Sequence, residues 1–210
     1  FMIIGITGSS GAGKSTLCEI LEKGYEVKVL NADKIARRLS RKGTSYLIDI
    51  IKVFGKDIVN EEGELKRSKL AQIIYSDAKK REELNTYTFK YVKEDIIKKI
   101  SKIQDETTIV IDAPLLFEAE LDKMCDKVIG IIAPREMQIE RVVARDDIDY
   151  EDAEKRLAAQ ANDEFFIKKC DYIVKNDNGF SKIEEQINDI CNKIGIEKKA
   201  NKYTWDITIF

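Results

Sequence analysis

The segment GSSGAGKST at residues 8–16 constrains the fold of this chain more than any other part of the sequence. It follows the apolar run at 2–6 and precedes a segment whose apolar residues recur with helical spacing. It also matches in full the pattern G-x-x-x-x-G-K-[ST], which is typical of a loop that joins a strand to a helix and binds the phosphates of a nucleoside triphosphate. We therefore expect a strand at 2–7, a phosphate-binding loop, and a helix at 14–23 that Gly24 ends.

Each residue type in this loop has a physical reason to be there. Glycine reaches positive φ and leaves room for backbone N–H groups to approach phosphate oxygens. Lys14 then reaches the β and γ phosphates, and Ser15 offers a hydroxyl ligand to Mg2+. A glycine–serine turn that only caps a helix is the alternative, but it gives no reason for the lysine. The residues predicted to bind ATP here are Gly8, Gly11, Ala12, Gly13, Lys14, Ser15 and Thr16.

Composition narrows the class of protein and the chemistry. A length of 210 residues suits one α/β domain with small insertions, and a net charge of −2 without a long basic run favours a small substrate over nucleic acid. No apolar run approaches the ~20 residues that span a bilayer, so we expect a cytoplasmic protein without a membrane partner. Histidine is absent and the four cysteines are scattered, which argues against a zinc site and leaves carboxylates as the natural proton acceptors.

Short apolar runs alternate with helical patterns along most of the chain. This alternation is typical of an α/β fold with a parallel sheet covered by helices on both faces, and together with the loop it predicts a P-loop NTPase fold. The predicted strands are 2–7, 26–31, 107–112, 127–132 and 171–174, and the helices outside the long central tract are 14–23, 134–146, 150–161 and 179–194.

Residues 33–104 interrupt the alternation with several successive helical patterns. We interpret them as a helical insert that binds the acceptor, between the two parts of a nucleotide-binding core at 2–32 and 105–195. The charged helical pair within 134–165 lies where a mobile lid over the phosphates would be placed.

The final segment, 196–210, has no predicted chemical role. Its apolar residues alternate with polar ones, a period that favours an added edge strand. The alternating apolar residues are Tyr203, Trp205, Ile207 and Ile209.

Asp33 follows the second predicted strand, at the sheet edge where open α/β folds place their ligands. A carboxylate there can accept or orient the proton of an acceptor hydroxyl during phosphoryl transfer. The alternative is that Asp33 caps a helix at 34–42, and one residue can do both.

Asp112 ends the third predicted strand, as the Walker-B aspartate does in P-loop proteins. We expect it to hold Mg2+ together with Ser15, directly or through water. The alternative is an aspartate that closes a strand and opens the turn before Pro114.

Three arginines lie on the predicted lid, at positions 141, 145 and 156. Arg141 and Arg145 are one helical turn apart, and their guanidinium groups could clamp the transferring phosphate or stack on adenine. The alternative is a solvated face that pairs with the neighbouring acids Glu140, Asp146 and Glu154. We expect at least one of the three to be functional.

A regulatory GTPase is disfavoured by two absences. The stretch Asn192-Lys193-Ile194-Gly195 lacks the aspartate of the guanine-reading motif N-K-x-D. The stretch Asp112-Ala113-Pro114-Leu115 lacks the glycine of the switch motif D-x-x-G.

In order and spacing, six stretches over roughly residues 2–180 resemble the dephospho-coenzyme A kinase family. They are GITGSSGAGKST (5–16), NADKIARRL (31–39), GKDIVNEEGELKRSKL (55–70), APLLFE (113–118), ERVVARDD (140–147) and EKRLAAQ (154–160). The resemblance implies an ATP-dependent enzyme that phosphorylates the ribose 3′-hydroxyl of dephospho-CoA, the last step of coenzyme A synthesis. It implies ATP and dephospho-CoA as small-molecule partners, Mg2+ as cofactor, and a monomer or small homo-oligomer.

The resemblance also assigns roles to residues. It places Asp33 beside the acceptor hydroxyl and Arg145 on the nucleotide side under the lid, so that Lys14, Asp33 and Arg145 are the expected catalytic residues. Arg141 joins the expected ATP site. Leu115, Leu116 and Glu118 belong to a Pro-Leu-Leu-x-Glu stretch that lies near the acceptor in that family.

Two positions depart from the family pattern. Asn31 stands where the family usually has aspartate, and Phe89-Lys90 stands where it usually has His-Pro. The departures keep two alternatives open. One is a kinase for another small acceptor such as a nucleoside monophosphate, and the other is a nucleotide-binding regulator without transferase activity.

Overall fold

Five parallel strands form one sheet in this computed structural model, which describes residues 1–103, 107–177 and 179–200. The strand order is β2-β3-β1-β4-β5. This confirms the predicted parallel α/β sheet, with each strand within about a residue of its expected bounds. The strands are β1 (Ile3–Thr7), β2 (Val27–Asn31), β3 (Thr108–Asp112), β4 (Lys127–Ile132) and β5 (Tyr172–Lys175).

The helices also follow the predicted alternation. In chain order they are α1 (Lys14–Gly24), α2 (Ala32–Leu39), α3 (Ser45–Phe54), α4 (Arg67–Ser76), α5 (Ala78–Ile100), α6 (Arg135–Asp146), α7 (Tyr150–Ala158), α8 (Asp163–Lys169) and α9 (Phe180–Ile194). Short 3-10 turns lie at Lys56–Ile58 and Asp122–Met124.

One predicted helix boundary is wrong. The helix expected at 150–161 ends at Ala158, and a further helix that the sequence analysis did not anticipate, α8, follows it. The new helix begins because the side chain of Asn162 accepts a hydrogen bond from the backbone N–H of Phe165 at 3.0 Å. Asparagine is among the best residues for this capping position.

Strand register brings the site together. Ile6 on the central strand β1 lies opposite Asp112 on β3, and Asp112 lies opposite Asn31 on β2. Because the strands are parallel, their carboxyl ends meet at one edge of the sheet. The phosphate-binding loop leaves β1 at the same edge.

Apolar side chains cover both faces of the sheet. On one face α1 and α9 pack against β1, and Leu17, Leu21 and Ile187 are almost completely buried there. On the other face Val92 and Ile96 of α5 pack against β3. Each such burial contributes roughly 1.5–3 kcal/mol relative to exposure, so both layers hold the strand ends in place.

A third apolar cluster lies within the helical tract 33–104. Tyr46, Leu47 and Ile50 of α3 pack with Leu70 of α4 and Leu84 of α5. The same helix α5 therefore contributes to the core under the sheet and to the core of the helical tract.

The described part of the C-terminal segment contacts the chain next to β2. Lys198 forms an antiparallel bridge with Tyr25, next to β2. The strand expected from the alternation at 203–209 lies outside the described residues. In the part of the chain that the structure covers, no helix has the length and apolar character needed to cross a bilayer.

We predict slow alkylation of all four cysteines in the folded protein. The thiols are free and at least partly buried, and burial raises the pKa of Cys125 and Cys170 to about 12 and of Cys191 to about 11. Burial raises the pKa of Cys18 as well. A raised pKa keeps a thiol protonated, and iodoacetamide reacts with the thiolate.

The measurement is mass spectrometry of the native and the urea-unfolded protein at pH 8 over time. We expect native labelling at least roughly 100-fold slower than that of an unperturbed thiol. If one cysteine of the native protein reacts rapidly with iodoacetamide, that cysteine is not buried as the structure describes.

Candidate active site

The phosphate-binding loop has a backbone that only glycine can adopt at two positions. Gly11 and Gly13 have φ values of 76° and 106°. A Cβ atom at Gly13 would lie 2.3 Å from Nδ2 of Asn176, and one at Gly11 would lie 2.5 Å from the carbonyl oxygen of Gln138. Conformation and space therefore both require glycine, as the sequence predicts for a loop that folds tightly.

Side chains from other elements hold the outer side of the loop. Two loop carbonyls accept from side chains: that of Ala12 from Nδ2 of Asn176 at 2.8 Å, and that of Gly11 from Nη1 of Arg141 at 2.9 Å. Two loop serines donate to glutamines: the backbone N–H of Ser10 to Oε1 of Gln160 at 2.8 Å, and Oγ of Ser9 to Oε1 of Gln138 at 3.3 Å. Asn176 and Gln138 are only 4% and 3% exposed. These bonds fix the loop conformation before any nucleotide is bound.

Sequence analysis missed Gln138, Gln160 and Asn176. They lie far from the loop in the chain, and their partners are backbone groups and serine hydroxyls of the loop, so no local pattern marks them. A polar residue directly after the buried strand β5 was the available signal for Asn176, because strand ends at this edge face the ligand site.

Asp112 is the buried charge at the centre of the site, with 4% of its surface exposed. Nζ of Lys14 donates to its Oδ1, and Nδ2 of Asn31 donates to its Oδ2. Both carboxylate oxygens therefore have a donor, which a buried charge requires. The site thus contains Lys14 and Asp112 in direct contact, the pair that the loop pattern and the third strand predict separately.

Asp112 and Ser15 line one cavity of about 430 Å3. A hydroxyl and a carboxylate are oxygen donors, the ligand type that Mg2+ prefers, and Mg2+ in phosphoryl-transfer sites takes its other ligands from phosphates and water. Among the described residues, no group of three or more His, Cys, Asp or Glu could hold a metal ion without such help. The residues therefore fit a magnesium ion that arrives with a nucleotide.

Asp33 lies in the first turn of α2, directly beyond the sheet edge. The alternative that Asp33 caps a helix at 34–42 is wrong. The helix begins at Ala32, and its cap is Asn31, whose side chain accepts a hydrogen bond from the Lys34 N–H at 2.7 Å. The exposed carboxylate of Asp33 is thus left available for another partner.

A second cavity, of about 340 Å3, lies between α2, which carries Asp33, and the following helices α3 and α4. Arg37 of α2, Tyr46 of α3 and Arg67 of α4 also line it. Within the described ranges, neither arginine forms an ion pair. An aspartate and two unpaired arginines therefore face one space.

The arginines predicted on the lid have different partners. Arg141 binds the Gly11 carbonyl of the loop, whereas Arg145 makes two 2.8 Å hydrogen bonds to Asp146. Arg156 donates to the same carboxylate at 2.6 Å. The hydrogen bond from Arg145 lowers the pKa of Asp146, so this carboxylate stays ionised at neutral pH. Arg145 and Arg156 remain about half exposed.

Helices α6 and α7 have a small apolar core of their own. Ile139 and Val142 of α6 pack against Ala153 and Leu157 of α7. This pair carries all three arginines, and it contacts the loop through Gln138 and Arg141.

The Pro-Leu-Leu-x-Glu stretch lies beyond β3. Leu116 is fully buried and would contact a Cβ atom at Gly5 at 2.7 Å, so its side chain packs in the core. Leu115 and Glu118 are exposed. Of the three residues expected near the acceptor, only Leu115 and Glu118 therefore have side chains that a ligand could contact. Phe89, at the departure from the family pattern, packs half-buried against the cluster under β3.

The fold and the site define the class of protein. A five-stranded parallel sheet, a glycine loop that leads into α1 and a strand-end aspartate bonded to the loop lysine are the features of a P-loop kinase. Comparison with known proteins makes the assignment more specific.

The family model for dephospho-CoA kinase matches residues 2–182. Dephospho-CoA kinase from Fusobacterium nucleatum is 37% identical over 194 residues, which are 92% of this chain and 98% of the relative. The solved structure of dephospho-CoA kinase from Campylobacter jejuni superposes with a TM-score of 0.67 at 28% identity and covers 91% of this chain and 96% of its own. The crystal structure of TT1252 from Thermus thermophilus superposes with a TM-score of 0.78 at 27% identity. The match covers 92% of this chain and 97% of TT1252. The chain belongs to the dephospho-CoA kinase family, which confirms the resemblance.

We predict that Asn176→Ala destabilises the protein and weakens nucleotide binding. The substitution leaves the Ala12 carbonyl without its donor in a buried position, which costs roughly 1–3 kcal/mol. It also frees the loop to leave its binding conformation. The unfolding midpoint should fall by roughly 2–8 °C, and the Kd for ATP should rise.

The matched control is Gln186→Ala, because the Gln186 carboxamide also bonds a backbone group, but at an exposed position, Lys175 of β5, away from the loop. We expect a smaller change in midpoint and an unchanged Kd for ATP by calorimetry. Equal effects of both substitutions on ATP binding would contradict the role of Asn176.

Proposed function

We propose that this chain transfers the γ-phosphoryl group of ATP to the ribose 3′-hydroxyl of dephospho-CoA, which gives coenzyme A and ADP. The observation that carries the proposal is the family match over residues 2–182, because it includes the loop, Asp33, Asp112 and the arginines of α6 and α7. Members of this family are phosphotransferases that act on an alcohol group.

The donor site is built from the loop and two strand ends. Backbone N–H groups of the glycine loop and the N-terminus of α1 favour phosphate oxygens, and Lys14 adds a positive charge at the first residue of that helix. Ser15 and Asp112 would hold Mg2+, which would supply positive charge to offset the negative charge of the phosphates during transfer. In the free protein Lys14 is paired with Asp112, so the lysine is already directed toward the same edge of the sheet.

The acceptor site is proposed in the cavity that α2 forms with α3 and α4. Asp33 would accept the proton of the ribose 3′-hydroxyl as the new phosphorus–oxygen bond forms and the bond to ADP breaks. In phosphoryl transfer the catalytic groups chiefly position and stabilise charge, so one well-placed carboxylate is sufficient. Leu115 and Glu118 lie beyond the neighbouring strand β3 and would border the acceptor.

Arg37 and Arg67 would bind the acceptor through its phosphates. Dephospho-CoA carries a diphosphate between its nucleoside and its pantetheine arm, and guanidinium groups bind phosphate oxygens with two parallel hydrogen bonds. Both arginines line the Asp33 cavity, and neither pairs with an acid in the described part of the chain. They are therefore positive charges without an acidic partner, among the described residues, in the same cavity as the proposed proton acceptor.

Helices α6 and α7 would serve as the lid over the nucleotide. Arg141 is fixed on the loop, whereas Arg145 extends from the next turn of the helix and is held in orientation by Asp146. An oriented, half-exposed arginine is suited to bind the triphosphate when the lid closes and water is excluded.

The direct test is ADP release, coupled to a dehydrogenase assay, with a panel of acceptors. The panel is dephospho-CoA, adenosine and the nucleoside monophosphates. We expect rapid release with dephospho-CoA alone. A clear preference for another acceptor would reject the proposed substrate, and ATP binding without release for any acceptor would reject the transferase.

We predict that Asp33→Asn lowers turnover with dephospho-CoA by roughly 10²–10⁴-fold, because the amide cannot accept the proton. The Kd for ATP should stay within about twofold, since Asp33 lies on the acceptor side. Asp57→Asn is the matched control, because it makes the same change at an exposed carboxylate of the helical tract. Equal turnover of the Asp33 variant and the wild type would overturn the proton-acceptor role.

We predict that Arg37→Ala and Arg67→Ala each raise the KM for dephospho-CoA by at least ~10-fold, the effect of one lost charge-assisted contact. Their kcat should change much less, because ground state and transition state share this contact. Arg41→Ala removes an exposed arginine just beyond α2 and should leave KM unchanged. If the KM of the two variants equals that of Arg41→Ala, the phosphates bind elsewhere.

A further inference from the structure

Asn31 makes two hydrogen bonds that join the two halves of the site. Its Nδ2 donates to Oδ2 of Asp112 at the end of the neighbouring strand. Its Oδ1 accepts from the N–H of Lys34 and so caps α2, the helix that carries Asp33. One carboxamide therefore contacts the carboxylate on the donor side and fixes the start of the helix on the acceptor side.

The carboxamide of Asn31 makes both contacts at once, which an ionised aspartate could not do. The cap needs an acceptor, which Asn and Asp both supply, but the Asp112 contact needs a donor, which an ionised Asp lacks. An aspartate at 31 would place a second negative oxygen at hydrogen-bond distance from Oδ2 of Asp112, in a site where Asp112 is 4% exposed. Only a cation or a proton could then bridge the two oxygens.

We propose that Asn31 is a positioning residue that aligns Asp112 with the start of α2 without a bound cation. In this chain the amide N–H takes the place of positive charge that a pair of carboxylates would require. Lys14 satisfies the other oxygen of Asp112, so the carboxylate is held from both sides before nucleotide binds. The inference rests on the proposed role of Asp112 in magnesium binding.

The test is the thermal unfolding midpoint of Asn31→Asp in EDTA and in 5 mM MgCl2, without ATP or acceptor. In EDTA the midpoint should fall by roughly 3–8 °C, because Asp112 loses a donor and gains a like charge. Mg2+ should recover at least half of this loss, since two facing carboxylates form an oxygen site for the ion. The wild type should respond to Mg2+ much less.

Two further variants separate the contacts. Asn31→Ala loses the cap and the donor but adds no carboxylate, so it should be destabilised without recovery by Mg2+. Asn162→Asp makes the same chemical change at the cap of α8, with Phe165 as its partner, and its midpoint should respond to Mg2+ no more than that of the wild type.

A midpoint of Asn31→Asp equal to that of the wild type in EDTA would overturn the proposal. A loss that Mg2+ does not recover would overturn it as well, because the contact would then be structural only. The outcome is independent of the acceptor assay. Failure of ADP release with dephospho-CoA in the wild type would reject the proposed function and leave these midpoints interpretable.

In the active enzyme, the Mg2+ dependence of the rate gives a second readout. The concentration of free Mg2+ at half-maximal rate should fall at least ~3-fold in Asn31→Asp relative to the wild type, because the added carboxylate increases affinity for the cation. Asn162→Asp should keep the wild-type value. An unchanged Mg2+ dependence in Asn31→Asp would argue against the alignment of residue 31 with Asp112.

Discussion

The buried carboxylate of Asp112 is the interaction on which the rest of the site depends. It lies where the ends of β1, β2 and β3 meet, and it can remain charged in the core only because donors reach both of its oxygens. Lys14 approaches it from the start of α1 and Asn31 from the end of β2. The requirement to satisfy one carboxylate thus fixes the relative positions of the phosphate-binding loop and the helix that carries Asp33.

The loop itself is held by long-range contacts rather than by its own sequence. Its glycines allow this backbone conformation, but glycine also allows many others, so the glycines alone would not hold the unbound loop in one conformation. Gln138, Gln160 and Asn176 select one of these through bonds to its backbone and serines. Helix α6 and the end of β5 are therefore as much a part of the nucleotide site as the motif is.

The fold was largely predictable because its strands are short, apolar and bounded, and because the loop motif sets the first strand and helix. Residues with local signals were located well: Lys14 by its motif and Asp112 by its place after an apolar run. The alternative that Asp33 caps α2 was wrong, because Asn31 and Asp33 both have good capping chemistry and the helix begins directly after β2 rather than at residue 34. The start of α8 was missed although Asn162, followed by two acids, is a recognised start signal. Gln160 could not be predicted, because its partner Ser10 lies 150 residues away in the chain. Asn176 had only the weak signal of a polar residue at a strand end, which does not reveal its partner 164 residues away.

The 23 residues of α5 belong to two cores at once. A helix of this length extends about 35 Å, with Leu84 in the cluster of the helical tract and Val92 and Ile96 under the sheet. A continuous helix transmits rotation but resists bending, since a bend breaks its hydrogen bonds. Helix α5 therefore joins the helical tract to the sheet core as one rigid element. Its sheet-bound end is fixed by Val92 and Ile96, so the packing of these two residues also sets the direction in which the helical tract extends from the core.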